Sequence, residues 1–348
     1  MFGMALDNEY EIIPARLAIK AMVDGSYKNT AFALAELMDN SIEASADNVE
    51  LICLEEYRQI NSQRRQIINQ IIVADDGCGM DKDLLFRALQ VGFGSRLEAN
   101  QQSGMGRFGM GLPLASIGQA DRVDVWSWTE AEGSHKNANH QYLSVQEVVS
   151  GHTTEFSEPT QKPVPEEILK QIKNLNKTGT IVCWGQLSNP KWTSGEAILR
   201  NSEEIIGRMY RVYLQESVTS IDIRLVNVDA KGIITIDRNA VPNDPLYLMK
   251  NSSTPEPWRD EPMFQEHRDF FVDFTRSDGK TFPVRVRSSF AKKDARVGDS
   301  AGSKSHGVHA KKNVGISIMR KGREIEMLKD HILQDVTERW WGIEIDFP

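Results

Sequence analysis

Hydrophobic and polar positions follow two regimes along this chain, helical or mixed before about residue 217 and strand-like after it. In residues 30–46 (TAFALAELMDNSIEASA), Phe32, Leu34, Leu37 and Met38 recur at helical spacing, with Thr30 placed to cap the start. Residues 48–55 (NVELICLE) alternate like a strand. The short apolar run 70–74 (QIIVA) is broken by DDGCGM, which predicts a buried strand ending in a turn. A helix is expected over 81–90, opened by Asp81, and another from LPLASI onward. Strands are expected at 122–128 (RVDVWSW), 141–149 and 179–187 (GTIVCWGQL). The polar stretch 150–178 between the last two reads as a loop with a short helix around 165–175. Residues 198–216 have helical spacing. From 219 onward SIDIRLVNV, GIITIDR, FPVRVRSSF and VGISIMR read as strands joined by turns. The change of pattern predicts a domain boundary near 217, and no internal repeat is evident.

Length supports this division, since 348 residues exceed one typical core. A charge of -8 argues against a chain that coats nucleic acid by bulk charge, while leaving room for a local basic face. Arg285, Arg287, Lys292, Lys293 and Arg296 are candidates for phosphate contact, against the commoner reading of a solvated face. Cys53, Cys78 and Cys183 are odd in number and widely spaced, with neither a metal pattern nor a disulfide framework. A reducing cytoplasm is therefore expected. The N-terminus has no secretion-signal pattern and no stretch of 18 apolar residues exists, so no membrane role is expected.

Four segments carry candidate chemistry. In Glu36-Leu-Met-Asp39-Asn40-Ser41, positions i and i+4 place Glu36 and Asn40 on one helix face, with Asp39 beside them. The carboxylate suits orienting and deprotonating a water, and the amide oxygen suits magnesium. In Asp75-Asp76-Gly77-Cys78-Gly79-Met80, glycines leave room for a flat ligand. Asp75 there can accept a hydrogen bond from an exocyclic amine, and Met80 offers a soft apolar surface. Glycines 92, 94, 104, 106, 109 and 111 precede a helix and offer bare amides to an anion. No Gly-Lys-Ser/Thr follows, so this is not a P-loop. Finally, Thr180 in Thr178-Gly179-Thr180 can bond a base directly or through a water shared with Asp75. Taken singly, each segment also fits a solvated helix face, an ordinary turn, a flexible loop or a β-branched strand residue.

Taken together, the order E-x-x-D-N, D-x-G-x-G, G-x-x-G-x-G and G-T resembles the motif series of the GHKL ATPases. These are the gyrase B, ninety-kilodalton heat-shock chaperone, histidine kinase and MutL proteins, and the likeness covers about residues 30–187. It implies an α/β class fold, the GHKL or Bergerat α/β sandwich, whose mixed sheet is covered by helices on one face. It implies ATP and Mg2+ as ligands, Glu36 as general base and Asn40 as the magnesium ligand. Asp39 lies beside them, Asp75 takes the adenine amine, and Gly77, Gly79, Met80 and Thr180 surround the base. Ser95, Gly104, Gly106, Arg107, Phe108, Gly109, Met110, Gly111 and Leu112 would wrap the phosphates as a lid.

ALAELMDNSIEA, VADDGCGM, GFGS (92–95) and NVGISIMRKGREI (313–325) resemble the MORC group and its bacterial relatives in particular. On that likeness, residues 1–29 form a strap or dimerisation segment, 30–217 the ATP-binding domain and 218–348 a transducer-like α/β domain. In such proteins a transducer lysine reaches the γ-phosphate from a loop after the strand that WWGIEIDFP (340–348) resembles. The chain is therefore expected to stop short of that lysine, with Lys311 and Lys312 as the remaining candidates. The implied activity is ATP hydrolysis driving closure of a homodimer, with DNA or defence against foreign DNA downstream. The alternative is a nucleotide-gated interaction module with little turnover.

Overall fold

Asn29 caps helix α2 (Thr30–Glu43) by accepting a hydrogen bond from the Ala31 N–H. Thr30, expected at the cap, instead donates its buried hydroxyl to Gln119 at 2.8 Å. This computed structural model describes residues 15–25, 27, 29–90, 111–153, 155–188, 192–215, 220–298, 300–330 and 337–348. The expected lid lies outside the described residues except for Gly111 and Leu112, as does the part of the expected strap (1–29) before residue 15. Leu34, Leu37 and Met38 bury the core side of α2, but Phe32, expected among them, is 38% exposed. Phe32, Glu36 and Asn40 succeed one another at i, i+4 and i+8, so the exposed stripe of α2 is the one that carries Glu36 and Asn40.

Strands β1 (Asn48–Ile60) and β2 (Gln63–Asp75) form a long antiparallel hairpin. Both run further than their apolar segments suggest. The extension, EEYRQINSQRRQI, is polar and largely exposed, and main-chain pairing holds it without an apolar face. Asn61 and Ser62 take positive φ of 47° and 62° at its turn. Asp81 caps α3 (Lys82–Ala88) through the Leu84 N–H. Helix α4 (Gly111–Ile117) leads into β3 (Ala120–Trp128). The expected strand 141–149 divides into β4 (Asn139–Ser144) and α5 (Val145–Val149), because Ser144 caps a helical turn through the Glu147 N–H. There follow β5 (Thr160–Gln161), α6 (Glu166–Leu169), β6 (Gly179–Leu187), α7 (Gly195–Met209), β7 (Asp222–Val228) and β8 (Ile234–Asn239). Helix α1 (Ala15–Gly25) precedes α2.

These strands make one mixed sheet in the order β5-β4-β3-β6-β2-β1-β7-β8, with β1 and β7 parallel and the other pairs antiparallel. One sheet face packs Ile52, Ile72, Trp126, Trp128, Ile181 and Val226 against Val164, Ile168 and Ile172. Side chains alternate across a strand. The opposite face therefore carries Val73 and Asp75, Thr180 and Val182, and Val125 and Ser127. Helices α2 and α4 cover it, with Trp184 donating its indole N–H to Ser116 of α4 at 2.8 Å.

Residues through Ser202 together with Ile221–Asn239 form one compact unit, and the remaining described residues form a second. The pattern change near 217 therefore does not coincide with a single cut. Strand β7 is buried along nearly its whole length and completes the first sheet beside β1. Alternation identifies a strand but not the sheet it joins. In the second unit, β9 (Phe264–Thr275), β10 (Thr281–Ala291), β11 (Ile316–Arg320), β12 (Arg323–Leu328) and β13 (Trp341–Phe347) form a sheet ordered β12-β11-β13-β10-β9. Two short helices, α8 (Lys293–Arg296) and α9 (Ser305–Lys312), lie between β10 and β11 in sequence. Arg211 is fully buried in this unit, donating to Glu344 at 2.6 Å, to Ser317 at 2.8 Å and to Glu324 at 3.2 Å. Arg285 pairs with Asp269, Arg287 with Glu344, and Lys312 with Glu204. These three cations are thus engaged within the unit. Among the described residues, no helix is long and apolar enough to cross a membrane.

Candidate functional site

Strands β2, β6 and β3 are adjacent, and their register sets Asp75 opposite Thr180 and Thr180 opposite Ser127. All three point to the α2 side of the sheet, in phase with apolar neighbours two residues away. The result is a row of polar side chains at one end of an otherwise apolar face. The Ser127 hydroxyl is fully buried and lies 2.9 Å from Thr180 Oγ1, 3.0 Å from the Gly179 carbonyl and 2.8 Å from the Met80 N–H.

The segment after β2 folds back beneath this row. The Gly77 N–H donates to Asp75 Oδ1 at 3.0 Å, and Ser41 of α2 donates to Asp75 Oδ2 at 2.9 Å. Burial pushes the Asp75 carboxyl up to about 6, although the bonds from Gly77, Ser41 and Thr180 oppose the rise. Asp76 turns away from the row and binds the N–H groups of Asp47 and Asn48, anchoring the start of β1. Gly79 has a φ of +71°, and a Cβ there would stand 2.0 Å from the Trp128 carbonyl oxygen, so only glycine fits. Met80 follows, half-buried. Asp75, Gly77, Gly79, Met80 and Thr180 are thus brought together.

Glu36 is half-buried at the centre of the exposed stripe of α2, with exposed Asn40 one turn on. A Cβ at Gly111 would lie 2.8 Å from Glu36 Oε2, so the start of α4 lies against this carboxylate. The bare backbone of Gly111 is what permits the approach. Leu112 is half-buried in the same turn, and Asp39 is buried at 6% exposure on the inner side of α2. Ser95, Gly104, Gly106, Arg107, Phe108, Gly109 and Met110 lie outside the described residues. Among the described residues, no group of three or more His, Cys, Asp or Glu side chains forms a metal cage.

Ser41 and Ser127 were not singled out from sequence. Ser127 carried a readable signal, since RVDVWSW puts it in phase with Val123 and Val125, where the buried face calls for an apolar residue.

Residues 27–174 match the family model described as histidine kinase-, DNA gyrase B-, and HSP90-like ATPase. The chain is 29% identical over 144 residues to the DNA mismatch repair protein MutL of Buchnera aphidicola subsp. Schizaphis graminum (strain Sg). That match takes in 41% of this chain and 21% of the relative, so the chain spans about a fifth of the relative's length. A solved structure titled as the N-terminal domain of a DNA repair protein superposes with a TM-score of 0.54 at 13% identity. The superposition covers 96% of this chain and 88% of that one, a likeness of fold.

Proposed function

We propose that this chain, whose residues 27–174 match the histidine kinase-, DNA gyrase B-, and HSP90-like ATPase family model, binds ATP with magnesium and hydrolyses it. The observation that carries this reading is the polar row Asp75–Thr180–Ser127, together with the Glu36 carboxylate held against Gly111. The Asp75 carboxylate accepts the exocyclic amine of adenine, and Thr180 Oγ1 receives a second hydrogen bond directly or through water. Gly77, Gly79 and Met80 form the floor and wall of the base pocket. The glycine-rich segment ending at Gly111 and Leu112 wraps the phosphates, with Ser95, Gly104, Gly106, Arg107, Phe108, Gly109 and Met110 in the lid.

Asn40 fits magnesium, being exposed, uncharged and oxygen-bearing, on the same stripe as Glu36. Among the described residues no carboxylate cage accompanies Asn40, so phosphate oxygens and water would supply the remaining ligands. When bound, the ion neutralises charge on the phosphates. Glu36 orients a water for attack and takes its proton.

ATP binding closes two protomers through the segment before residue 30, and release of phosphate reopens them. The likeness to a DNA mismatch repair protein and the sequence likeness to the MORC group favour a DNA-linked role. Titration and turnover test the reading together. Glu36→Ala is expected to retain MgATP binding and lose hydrolysis, and Asp75→Asn to lose binding. Wild-type affinity in the Asp75 variant sinks the assignment.

A further inference from the structure

The hydrogen atoms at the polar row can be assigned by counting. Ser127 has one hydroxyl hydrogen and two lone pairs. Its oxygen lies within hydrogen-bonding distance of three groups. The Met80 N–H can only donate and the Gly179 carbonyl can only accept. All three contacts are satisfied in one way alone. Ser127 donates to Gly179 and accepts from Met80, so Thr180 must donate its own hydroxyl hydrogen to Ser127. The alternative sets Ser127 and the Gly179 oxygen 3.0 Å apart as two acceptors, in a fully buried place.

The hydrogen of Thr180 is therefore turned into the sheet, and its lone pairs face the pocket. The ionised Asp75 carboxylate is likewise an acceptor, with Ser41 and Gly77 each occupying only one position on its two oxygens. We propose that Ser127 is a positioning residue for specificity. By fixing the hydroxyl rotor of Thr180, it makes this end of the pocket accept only, so that a purine bearing an exocyclic amine is chosen over one bearing a carbonyl. The proposal rests on the reading that a nucleotide base occupies the Asp75 end of the site.

The test compares the affinities of MgATP and MgITP, inosine triphosphate carrying a carbonyl where ATP carries the amine. Both are measured by calorimetry on wild type, Ser127→Ala, Ser127→Cys, Thr180→Val and the Ser127→Ala/Thr180→Val double variant. Wild type is expected to favour ATP. Ser127→Ala frees the Thr180 rotor to donate to the carbonyl, so the ATP/ITP ratio should fall about three- to tenfold, the worth of one neutral hydrogen bond. Thr180→Val should lower the ratio similarly, and the double variant no further than Thr180→Val alone. Ser127→Cys keeps the volume with a weaker acceptor and should fall in between, which covers the case in which the alanine variant does not fold. If Ser127→Ala and Ser127→Cys weaken both nucleotides equally, Ser127 is only structural and the proposal is overturned. If wild type binds neither nucleotide, the ATP reading itself has failed and the proposal falls with it.

Discussion

Replacing Asp75 with asparagine should move stability and ligand binding in opposite directions. Burial lifts this carboxyl from 3.8 to about 6. Each unit is worth about 1.4 kcal/mol, so keeping it ionised costs the fold up to about 3 kcal/mol at neutral pH. Solvent at the mouth of the half-buried site makes that an upper bound. The folded pKa lies above the unfolded one, so the group's contribution is full below about pH 4 and lost as pH rises through about 6. Asparagine removes the cost but offers one acceptor where Ser41 and Gly77 now bond two, returning about 1–2 kcal/mol. The variant should therefore be about 1 kcal/mol more stable than wild type near pH 8. From pH 7.5 to pH 5, wild type should gain about 1.4 kcal/mol relative to the variant. Urea unfolding of both proteins across that range reads this difference. Over the same substitution, MgATP affinity should fall about 100-fold or more, through loss of a charge-assisted bond and two amide donors meeting. A stability difference that is flat with pH, or undiminished affinity, refutes the reasoning.

Other positions give sharper local tests. Gly111→Ala puts a methyl 2.8 Å from Glu36 Oε2, so turnover at saturating MgATP should fall about tenfold or more, measured by steady-state phosphate release. Gly79→Ala combines a φ of +71° with a contact of 2.0 Å to the Trp128 carbonyl, and should lower the melting temperature and abolish nucleotide binding together. Arg211→Ala removes the fully buried cation between Glu324 and Glu344, leaving them Arg208 and Arg287, and should cost about 1–3 kcal/mol, seen in chemical denaturation of the second unit. If the chain contacts DNA through phosphates, gel-shift affinity should drop steeply between two salt concentrations, and an unchanged shift removes that mode of contact.

The apolar pattern was enough to place α2, the core of β1 and β2, β3, β6, and β10 and β11 of the second unit. Where a segment stays polar, the pattern is silent, and this explains the misreadings. The extension of the β1–β2 hairpin is polar and held by main-chain bonds, so it leaves no apolar signature. Sheet membership is also invisible in a strand's own residues, which is why β7 and β8 join the first sheet across the expected boundary. At the site, Glu36, Asn40 and Asp75 stood out as chemistry on a recognisable spacing. Ser41 and Ser127 did not, because a serine in a helix or strand resembles ordinary surface until register sets it against Asp75 or Thr180. In retrospect Asp75, Thr180 and Ser127 share one trait. Each is a polar residue in phase with the buried side of its strand, at the same end of three neighbouring strands.

The central claim is that the Asp75 end of the first sheet holds the adenine of ATP. Equilibrium dialysis of labelled ATP with magnesium at pH 7.5 measures it directly, on wild type and Asp75→Asn side by side. The account predicts one saturable site per wild-type chain, displaced by ADP, and no saturable binding to the variant. Absence of saturable binding to wild type, or equal binding to both proteins, contradicts it.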